Sequence, residues 1–416
     1  MYDHAFRPVP KTGVIYVMSE ASQRGFRYGA PGWVNLGQGA PETGALPGAD
    51  PRLTSVGLSL DLHEYAPVDG VPALRDAVAK LYNARYRRGM ASQYSAENVC
   101  ISGGGRTGLT RIAASLGNIH LGHILPDYTA YEELLDLFRA FVPIPIVLGA
   151  EEGYQLSAER LRSEIVGMGL GGVLLSNPCN PTGHVIHSGM LAEWIRVSRE
   201  LSCALLFDEF YAHYTYGDTP CPTSAAACVE DVDSDPVLIV DGLTKNWRYP
   251  GWRVSWTVGP KDIIRRLASA GSFLDGGPAH PMQTAAIPLL DPGVADREAA
   301  AIRTAFSAKR DLMVTRLREM GMRLDHPPQG AFYCFPALDG LPEPLRDGMR
   351  FFEAALAHQV ICVPGEFFDV NPGKRRSHLP SRLKHHIRLS FGPDIQAVRT
   401  GLDRLEAMIQ SARSSG

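Results

Sequence analysis

The sequence lacks the features that mark several classes of protein. No two of its seven cysteines form a C-x-x-C pair and their number is odd, which argues against a zinc site and a disulfide framework. No run of about 18 apolar residues occurs, so no membrane-spanning helix is expected. The N-terminus has no charged segment followed by an apolar one, which disfavours a signal peptide. We therefore expect a cytoplasmic protein that binds neither a metal nor a membrane.

Further absences narrow the range of ligands. The formal net charge of −3 over 416 residues gives no general attraction to nucleic acid, so no nucleic-acid partner is expected. No P-loop ending in G-K-[ST] is found, and the glycine loop at 103–108 is not interpreted as a dinucleotide fingerprint, so a dinucleotide site is disfavoured. The N-terminal arm, residues 1–34, is too short for a winged-helix module, which disfavours a transcription regulator.

What the chain does contain is an alternation of strand-like and helix-like segments. Six short apolar runs are predicted strands: 98–102, 123–125, 142–148, 172–175, 203–207 and 236–240. Helical patterns separate them, which is typical of βαβ units and a mostly parallel sheet. We predict an N-terminal arm with part of a small domain over residues 1–50, a large domain over 51–292, and a small α+β domain over 293–416.

Polar loops follow several of these strands, at the sheet edge where ligands bind in such folds. Gly103 to Gly108 lies between a strand and a helix, where backbone N–H groups and the helix dipole favour an anion such as phosphate. Ser176 to Gly183 contains two Asn-Pro pairs, which force an extended, tightly turned loop in which an X-Pro bond can be cis. Asp208 follows an apolar run, and a buried carboxylate there needs a cationic or donor partner.

The stretch from Asp241 to Trp256 carries one lysine, Lys245, directly after a predicted strand. Arg253 opens a second apolar run eight residues later. Desolvation and a nearby cation both lower the pKa of a lysine amine, which is the condition for a nucleophile. An anionic cofactor beside Arg253 would fit this arrangement. From this stretch alone, a solvated loop lysine is an equally good interpretation.

Taken together, these segments resemble the class I/II aminotransferase family of fold-type I pyridoxal-phosphate (PLP) enzymes. The resemblance covers nearly the whole chain from Asn35, and its motifs stand in the family's order and spacing. These are Asn-Pro-Cys-Asn-Pro-Thr-Gly at 177–183, Asp-x-x-Tyr at 208–211, the interval 245–253, and Arg-Leu-Ser-Phe-Gly at 388–392. The resemblance implies PLP as cofactor and an α/β fold, with a mostly parallel seven-stranded sheet in the large domain.

The resemblance implies catalytic roles at the ring of the cofactor. Lys245 is expected to form the Schiff base with PLP and to move the proton between the substrate Cα and the cofactor C4′. Asp208 is expected to pair with the pyridinium nitrogen, which lets the ring act as an electron sink. Asn180 and Tyr211 match the pair that hydrogen-bonds the phenolic oxygen of the cofactor, and Tyr128 matches the aromatic residue that stacks on the ring.

The resemblance also implies contacts to the cofactor phosphate. Gly104, Gly105 and Arg106 match the phosphate-binding turn, and Arg253 matches the arginine that pairs with the phosphate bidentately. Many family members have a hydroxyl residue three positions before the lysine, where this chain has Gly242. We expect that contact to be missing, with Thr244 as its substitute.

Contacts to the substrate and to a second subunit are implied as well. Arg388 matches the arginine that binds the substrate α-carboxylate, with Asn180 and the backbone of Gly39 nearby. Tyr65 matches a tyrosine that reaches the phosphate of the neighbouring subunit, so a homodimer with shared active sites is expected. Tyr131 and the tryptophans of the 241–256 stretch are interpreted as packing residues.

We predict a PLP-dependent aminotransferase that moves the amino group of an L-amino acid to a 2-oxo acid by a ping-pong mechanism. The alternatives are other PLP reactions in the same fold, namely a β- or γ-lyase, a racemase or an oxidase. No equivalent of the arginine that some members use for acidic side chains is found, which disfavours an aspartate specialist. Four aromatics hint at a bulky or apolar substrate: Tyr16, Phe26, Tyr28 and Trp33. The basic segment 374–386 is interpreted as a surface loop, with a contact to an acidic group of the substrate as the alternative.

Overall fold

The computed structural model describes residues 6, 9, 11, 13–29 and 31–414. Its strands are β1 Val34–Asn35, β2 Val99–Ser102, β3 His120–Leu125, β4 Val142–Val147, β5 Leu170–Ser176, β6 Ala204–Asp208, β7 Val237–Gly242, β8 Ser255–Val258, β9 Tyr333–Cys334, β10 Val360–Ile361, β11 Val363–Pro364 and β12 Ile387–Ser390. Its α-helices are α1 Gly13–Gln23, α2 Pro72–Tyr86, α3 Gly105–Ser115, α4 Tyr131–Leu137, α5 Ala158–Met168, α6 Ser188–Leu201, α7 Lys261–Leu274, α8 His280–Ala286, α9 Pro292–Glu319, α10 Gly348–Ala357 and α11 Ile395–Ser414.

A seven-stranded sheet with the order β2-β8-β7-β6-β5-β3-β4 forms the centre of the molecule. All its strands run in one direction except β8, which is antiparallel to β7 and β2. The strands β6 and β7 are almost entirely buried, as expected of apolar runs covered by helices on both faces. The predicted α/β fold with a mostly parallel seven-stranded sheet is therefore confirmed.

The carboxyl ends of the central strands lie side by side. Ser176, the last residue of β5, pairs with Asp208, the last residue of β6. Asp208 in turn pairs with Val240 in β7, two residues before the strand ends at Gly242. Because these ends share one edge of the sheet, the polar loops that follow them converge there.

Two small sheets lie outside the large one. The strands β11, β12 and β9 form an antiparallel sheet, and β1 pairs with β10 in parallel. The long helix α9 begins at Asp291, whose side chain accepts hydrogen bonds from the N–H groups of Gly293 and Val294. The division into domains at residues 50 and 292 stays a prediction. Among the described residues, no helix is long and apolar enough to cross a membrane.

The structure contains three helices that were not predicted. In α1 the fully buried apolar side chains are Val17 and Ala21, and this narrow stripe explains why residues 1–34 show no strong helical period. The helices α7 and α8 fill the segment between β8 and α9. The apolar run at 330–335 forms only the two-residue strand β9, since Ala331 adopts a positive φ of 56° that no strand accommodates.

Candidate active site

A cavity of about 460 Å³ opens at the C-terminal edge of the large sheet. Loops that follow β2, β3, β5, β6 and β7 form its wall together with α1 and the small antiparallel sheet. Eleven of the predicted site residues line it: Gly39, Gly105, Arg106, Tyr128, Asn180, Asp208, Tyr211, Thr244, Lys245, Arg253 and Arg388. The structure thus brings together residues that are up to 349 positions apart in the chain.

Lys245 lies in the loop after β7. Its side-chain nitrogen Nζ donates a hydrogen bond to the carbonyl oxygen of Gly39. Its own carbonyl oxygen accepts one from the Tyr214 hydroxyl at 2.9 Å, which fixes the backbone from which the side chain extends. Burial lowers the pKa of Lys245 to about 7, and the positive charges of Arg388 and Arg253 add to this effect. A large fraction of the amine is therefore neutral, and nucleophilic, near neutral pH.

Asp208 is buried at the end of β6. Its Oδ2 accepts a hydrogen bond from the Tyr131 hydroxyl at 2.9 Å, a contact that the interpretation of Tyr131 as a packing residue did not include. Burial raises the pKa of Asp208 to about 6. A carboxylate desolvated in this way is stabilised by a positively charged group brought into the cavity.

The turn between β2 and α3 packs closely against Arg253. Gly104 has φ of 102° and ψ of 159°, a conformation accessible essentially to glycine alone. A Cβ atom at Gly104 would lie 1.9 Å from the Nη2 of Arg253, so glycine is what admits the guanidinium. The first N–H groups of α3 have no partner within the helix, and together with the helix dipole they favour an anion at this end of the cavity.

The packing around Gly242 explains why this position carries no hydroxyl side chain for the anion site. Its backbone lies against β8, and a Cβ atom would come within 2.6 Å of both the Cα of Ser255 and the carbonyl oxygen of Val254. No side chain fits there without separating β7 from β8. The Oγ1 of Thr244 lies 3.5 Å from the Nη1 of Arg253, at the limit of a hydrogen bond.

Arg106 turns toward Tyr128. Its Nε and Nη2 donate hydrogen bonds to the Tyr128 hydroxyl at 3.1 and 2.9 Å. The guanidinium lines the cavity and forms no ion pair with a carboxylate of the described chain. The cavity therefore holds three arginines and, among its described lining residues, one carboxylate, Asp208.

Arg388 is buried in the middle of β12. Its Nη1 donates to the Oδ1 of Asn180 at 2.8 Å, and its Nη2 donates to the carbonyl oxygen of Gly37. The backbone N–H of Asn180 donates to the Ser176 hydroxyl at 3.1 Å, in a loop whose Asn177–Pro178 bond is cis. These bonds leave the amide donor of Asn180 without a partner among the described residues.

Two groups next to the predicted residues were missed by sequence reasoning. Asp127 is fully buried, and its carboxylate accepts hydrogen bonds from the N–H groups of Tyr128 and Ser176 and from the Ser176 hydroxyl. Burial raises the pKa of Asp127 to about 7. The hydroxyl oxygen of Tyr333 lies 2.7 Å from that of Tyr211, within hydrogen-bond distance. Asp127 could have been found from its position, since it follows a strand and directly precedes Tyr128. No local sequence pattern indicated a role for Tyr333.

Other predicted features lie away from the cavity. Tyr65 is 97% exposed and does not reach the cavity of its own chain, so its role in a neighbouring subunit stays a prediction. Of the four aromatics taken to hint at the substrate, Tyr28 lines the cavity and the other three do not. In the basic segment 374–386, Lys374 pairs with Glu132, and the segment contributes nothing to the wall of the cavity.

Comparison with known proteins identifies the family. The family model for "Aminotransferase class I and II" matches residues 31–405. The chain belongs to this family. An aspartate aminotransferase from Streptomyces avermitilis is 29% identical over 363 residues, which are 84% of this chain and 83% of that protein. An aspartate/prephenate aminotransferase from Thermus thermophilus is 27% identical and covers 84% of both. The structure of the Thermus thermophilus aspartate aminotransferase with maleate has a TM-score of 0.77 at 24% identity, covering 97% of this chain and 98% of that one.

As a class I and II aminotransferase, the protein is a PLP-dependent enzyme that acts on amino acids and 2-oxo acids. The residues present fit the cofactor. Lys245, whose amine has a pKa lowered to about 7, lies in the same cavity as the buried carboxylate of Asp208, which forms no ion pair with the described residues. An anion site at the start of α3 lies beside Arg253. Glycine at 104 lets the Arg253 guanidinium approach this turn, which places its positive charge beside the anion site.

Proposed function

We propose that this aminotransferase works by a ping-pong mechanism in which Lys245 carries the cofactor covalently. The observation that supports this most is the state of the Lys245 amine. Its pKa is lowered to about 7, and its Nζ lies in one cavity with Asp208 and Arg253. An amine that is neutral near pH 7 can attack a carbonyl and can later accept a proton.

The neighbouring residues supply what the cofactor needs. PLP, when bound, provides the electron sink that makes the Cα–H bond of an amino acid acidic. Asp208 would hold the ring nitrogen protonated, and Arg253 with the turn before α3 would hold the phosphate. Tyr128 would stack on the ring. Asn180 and Tyr211 would donate hydrogen bonds to the phenolic oxygen, for which Asn180 has a free amide donor.

Arg388 would bind the α-carboxylate of the substrate. It is buried and held in place by hydrogen bonds to Asn180 and Gly37, so little motion is lost when a carboxylate binds. The carbonyl oxygen of Gly39 accepts a hydrogen bond from Lys245, and Gly39 lines the same cavity as Arg388. With the carboxylate fixed, Lys245 would be the base that accepts the proton from the substrate Cα.

For the substrate class we propose an amino acid with a second acidic group. Its support is Arg106, which lines the cavity without a carboxylate partner, and the relatives named for aspartate. A second candidate is a bulky apolar amino acid. Its support is the apolar wall that α1 contributes through Val14, Ile15 and Met18.

A screen of amino donors with the cofactor-loaded protein tests these proposals. A donor that reacts should bleach the visible band of the bound cofactor, and a 2-oxo acid should restore it. Lys245→Ala should abolish the exchange. Normal turnover by this variant would refute the mechanism, and release of ammonia without any 2-oxo acid would favour a lyase or an oxidase.

The same screen decides between the two substrate classes. If acidic donors react best, Arg106→Leu should lower kcat/KM for them roughly 10- to 150-fold more than for apolar donors, the effect of a charge-assisted hydrogen bond. If apolar donors react best in the wild-type protein, the acidic assignment is wrong and the wall of α1 defines the pocket.

We also propose a homodimer with shared active sites. Its support is the exposure of large apolar side chains near Tyr65, namely Leu58 and Leu60, and of Phe273 on α7, since a dimer interface would bury such groups. Light scattering would give the mass in solution. Mixing inactive Lys245→Ala protein with Tyr65→Ala protein should restore activity, because each hybrid dimer keeps one site with both residues intact. No recovery on mixing would refute the sharing of sites.

A further inference from the structure

Tyr333 lies where two parts of the site meet. It begins β9 and pairs with Ser390 of β12, the strand that carries Arg388 two residues earlier. Its side chain is buried and is one of those that line the cavity. The ring and the hydroxyl of Tyr333 contact different groups, and each of these groups has a separate proposed role.

The ring of Tyr333 packs against the arginine proposed to bind the substrate. The guanidinium carbon of Arg388 lies 4.2 Å from the centre of this ring and 4.9 Å from that of Phe368. The negative face of an aromatic ring attracts a guanidinium, all the more when both are desolvated. No carboxylate of the described chain pairs with Arg388, so these rings and two hydrogen bonds are what hold its plane.

The hydroxyl of Tyr333 contacts the other half of the site. It lies 2.7 Å from the Tyr211 hydroxyl. A Cβ atom at Gly39 would lie 2.5 Å from the Tyr333 oxygen, so the glycine makes room for this hydroxyl. The carbonyl oxygen of Gly39 accepts the hydrogen bond from Lys245, which places all three groups at one junction.

The two hydroxyls share one hydrogen bond, and its direction matters. Either oxygen can be the donor in this contact. Burial raises the pKa of both phenols, so each keeps its single proton. Tyr211 can therefore donate to the cofactor, the role proposed for it, only while it accepts a hydrogen bond from Tyr333.

We propose that Tyr333 is a positioning residue of the transamination site. Its ring holds the plane of Arg388, and its hydroxyl donates to Tyr211, so that Tyr211 donates to the phenolic oxygen of the cofactor. This inference rests on the proposed roles of Arg388 and Tyr211.

Two variants separate the two contacts in the cofactor-loaded protein. Tyr333→Phe keeps the ring and removes the hydrogen bond to Tyr211. Because that bond favours the anionic phenolic oxygen, the pH midpoint of the cofactor's visible band should rise by roughly 0.4 to 1 unit. Its affinity for 2-methylalanine, which has an α-carboxylate but no Cα–H to lose, should stay that of the wild type.

Tyr333→Leu removes the ring as well. Its dissociation constant for 2-methylalanine, measured by titration of the visible band, should increase roughly 2- to 30-fold. Tyr216→Phe is the matched control. Tyr216 is equally buried and donates to the carbonyl oxygen of Ala331 at 2.6 Å, but it does not line the cavity. This control should leave both readouts unchanged.

An unchanged midpoint in Tyr333→Phe would overturn the inference, and this holds even if Tyr333→Leu does not fold. Equal shifts in Tyr216→Phe and Tyr333→Phe would overturn it too, since they would show a general effect of lost tyrosine hydroxyls. A wild-type protein that develops no visible band with PLP would instead refute the proposed function.

Discussion

Replacing Gly104 by alanine tests the anion site at the start of α3 directly. The new Cβ would lie 1.9 Å from the Nη2 of Arg253, so the guanidinium has to move away from the turn. Losing a charge-assisted hydrogen bond to the cofactor phosphate costs about 1.5–3 kcal/mol, which corresponds to a roughly 10- to 150-fold weaker affinity for PLP. The backbone conformation, φ 102° and ψ 159°, adds about 1–3 kcal/mol of strain in the folded state.

The neighbouring glycine supplies a matched control for this experiment. A Cβ atom at Gly103 would have one neighbour, the Oγ1 of Thr107 at 3.9 Å, and its backbone lies outside the left-handed region. Titration of the cofactor-free proteins with PLP, followed by absorbance, should show weak binding for Gly104→Ala and nearly normal binding for Gly103→Ala. Wild-type affinity in Gly104→Ala, or equal losses in both variants, would refute the assignment of the phosphate to this turn.

Two further predictions concern pH. The rate at which PLP reacts with cofactor-free protein should rise with pH up to about 7 and then level off, because the neutral Lys245 amine is the reacting form. Stopped-flow absorbance measures this rate. A rate that continues to rise toward pH 10.5 would contradict the prediction. Glu209 is buried, and burial raises its pKa from 4.5 to about 8. Because the folded state holds this proton more tightly, the free energy of unfolding should decrease as pH rises through that window. Glu209→Gln should flatten the decrease in urea denaturation, and an unchanged slope would exclude Glu209 as its source.

Most of the fold was predictable because its signals are local. The strands β5, β6 and β7 are unbroken apolar runs, and the loops after them carry Asn180, Asp208 and Lys245. The helix α1 was not predictable, since its buried stripe contains few residues and the remaining contacts come from distant parts of the chain. Its contribution to the cavity wall was missed for the same reason.

The residues that hold the catalytic groups in place were harder to predict than the groups themselves. Tyr131 and Tyr333 look like ordinary core aromatics in the sequence. The groups that their hydroxyls contact, on Asp208 and Tyr211, are 77 and 122 positions away and leave no local pattern. Asp127 was passed over because a carboxylate satisfied by backbone N–H groups needs no cation nearby. The roles assigned to individual site residues, the shared dimer and the cytoplasmic location remain predictions.

The packing of Gly242 against β8 also bears on how this enzyme can change over evolutionary time. A serine at this position meets backbone atoms of Ser255 and Val254, so no single substitution of a neighbouring side chain would make room for it. Introducing a hydroxyl residue at this position of the chain therefore requires a shift of the main chain. Attempts to graft the commoner phosphate contact onto this protein should start from Thr244, whose side chain already lies at the cavity.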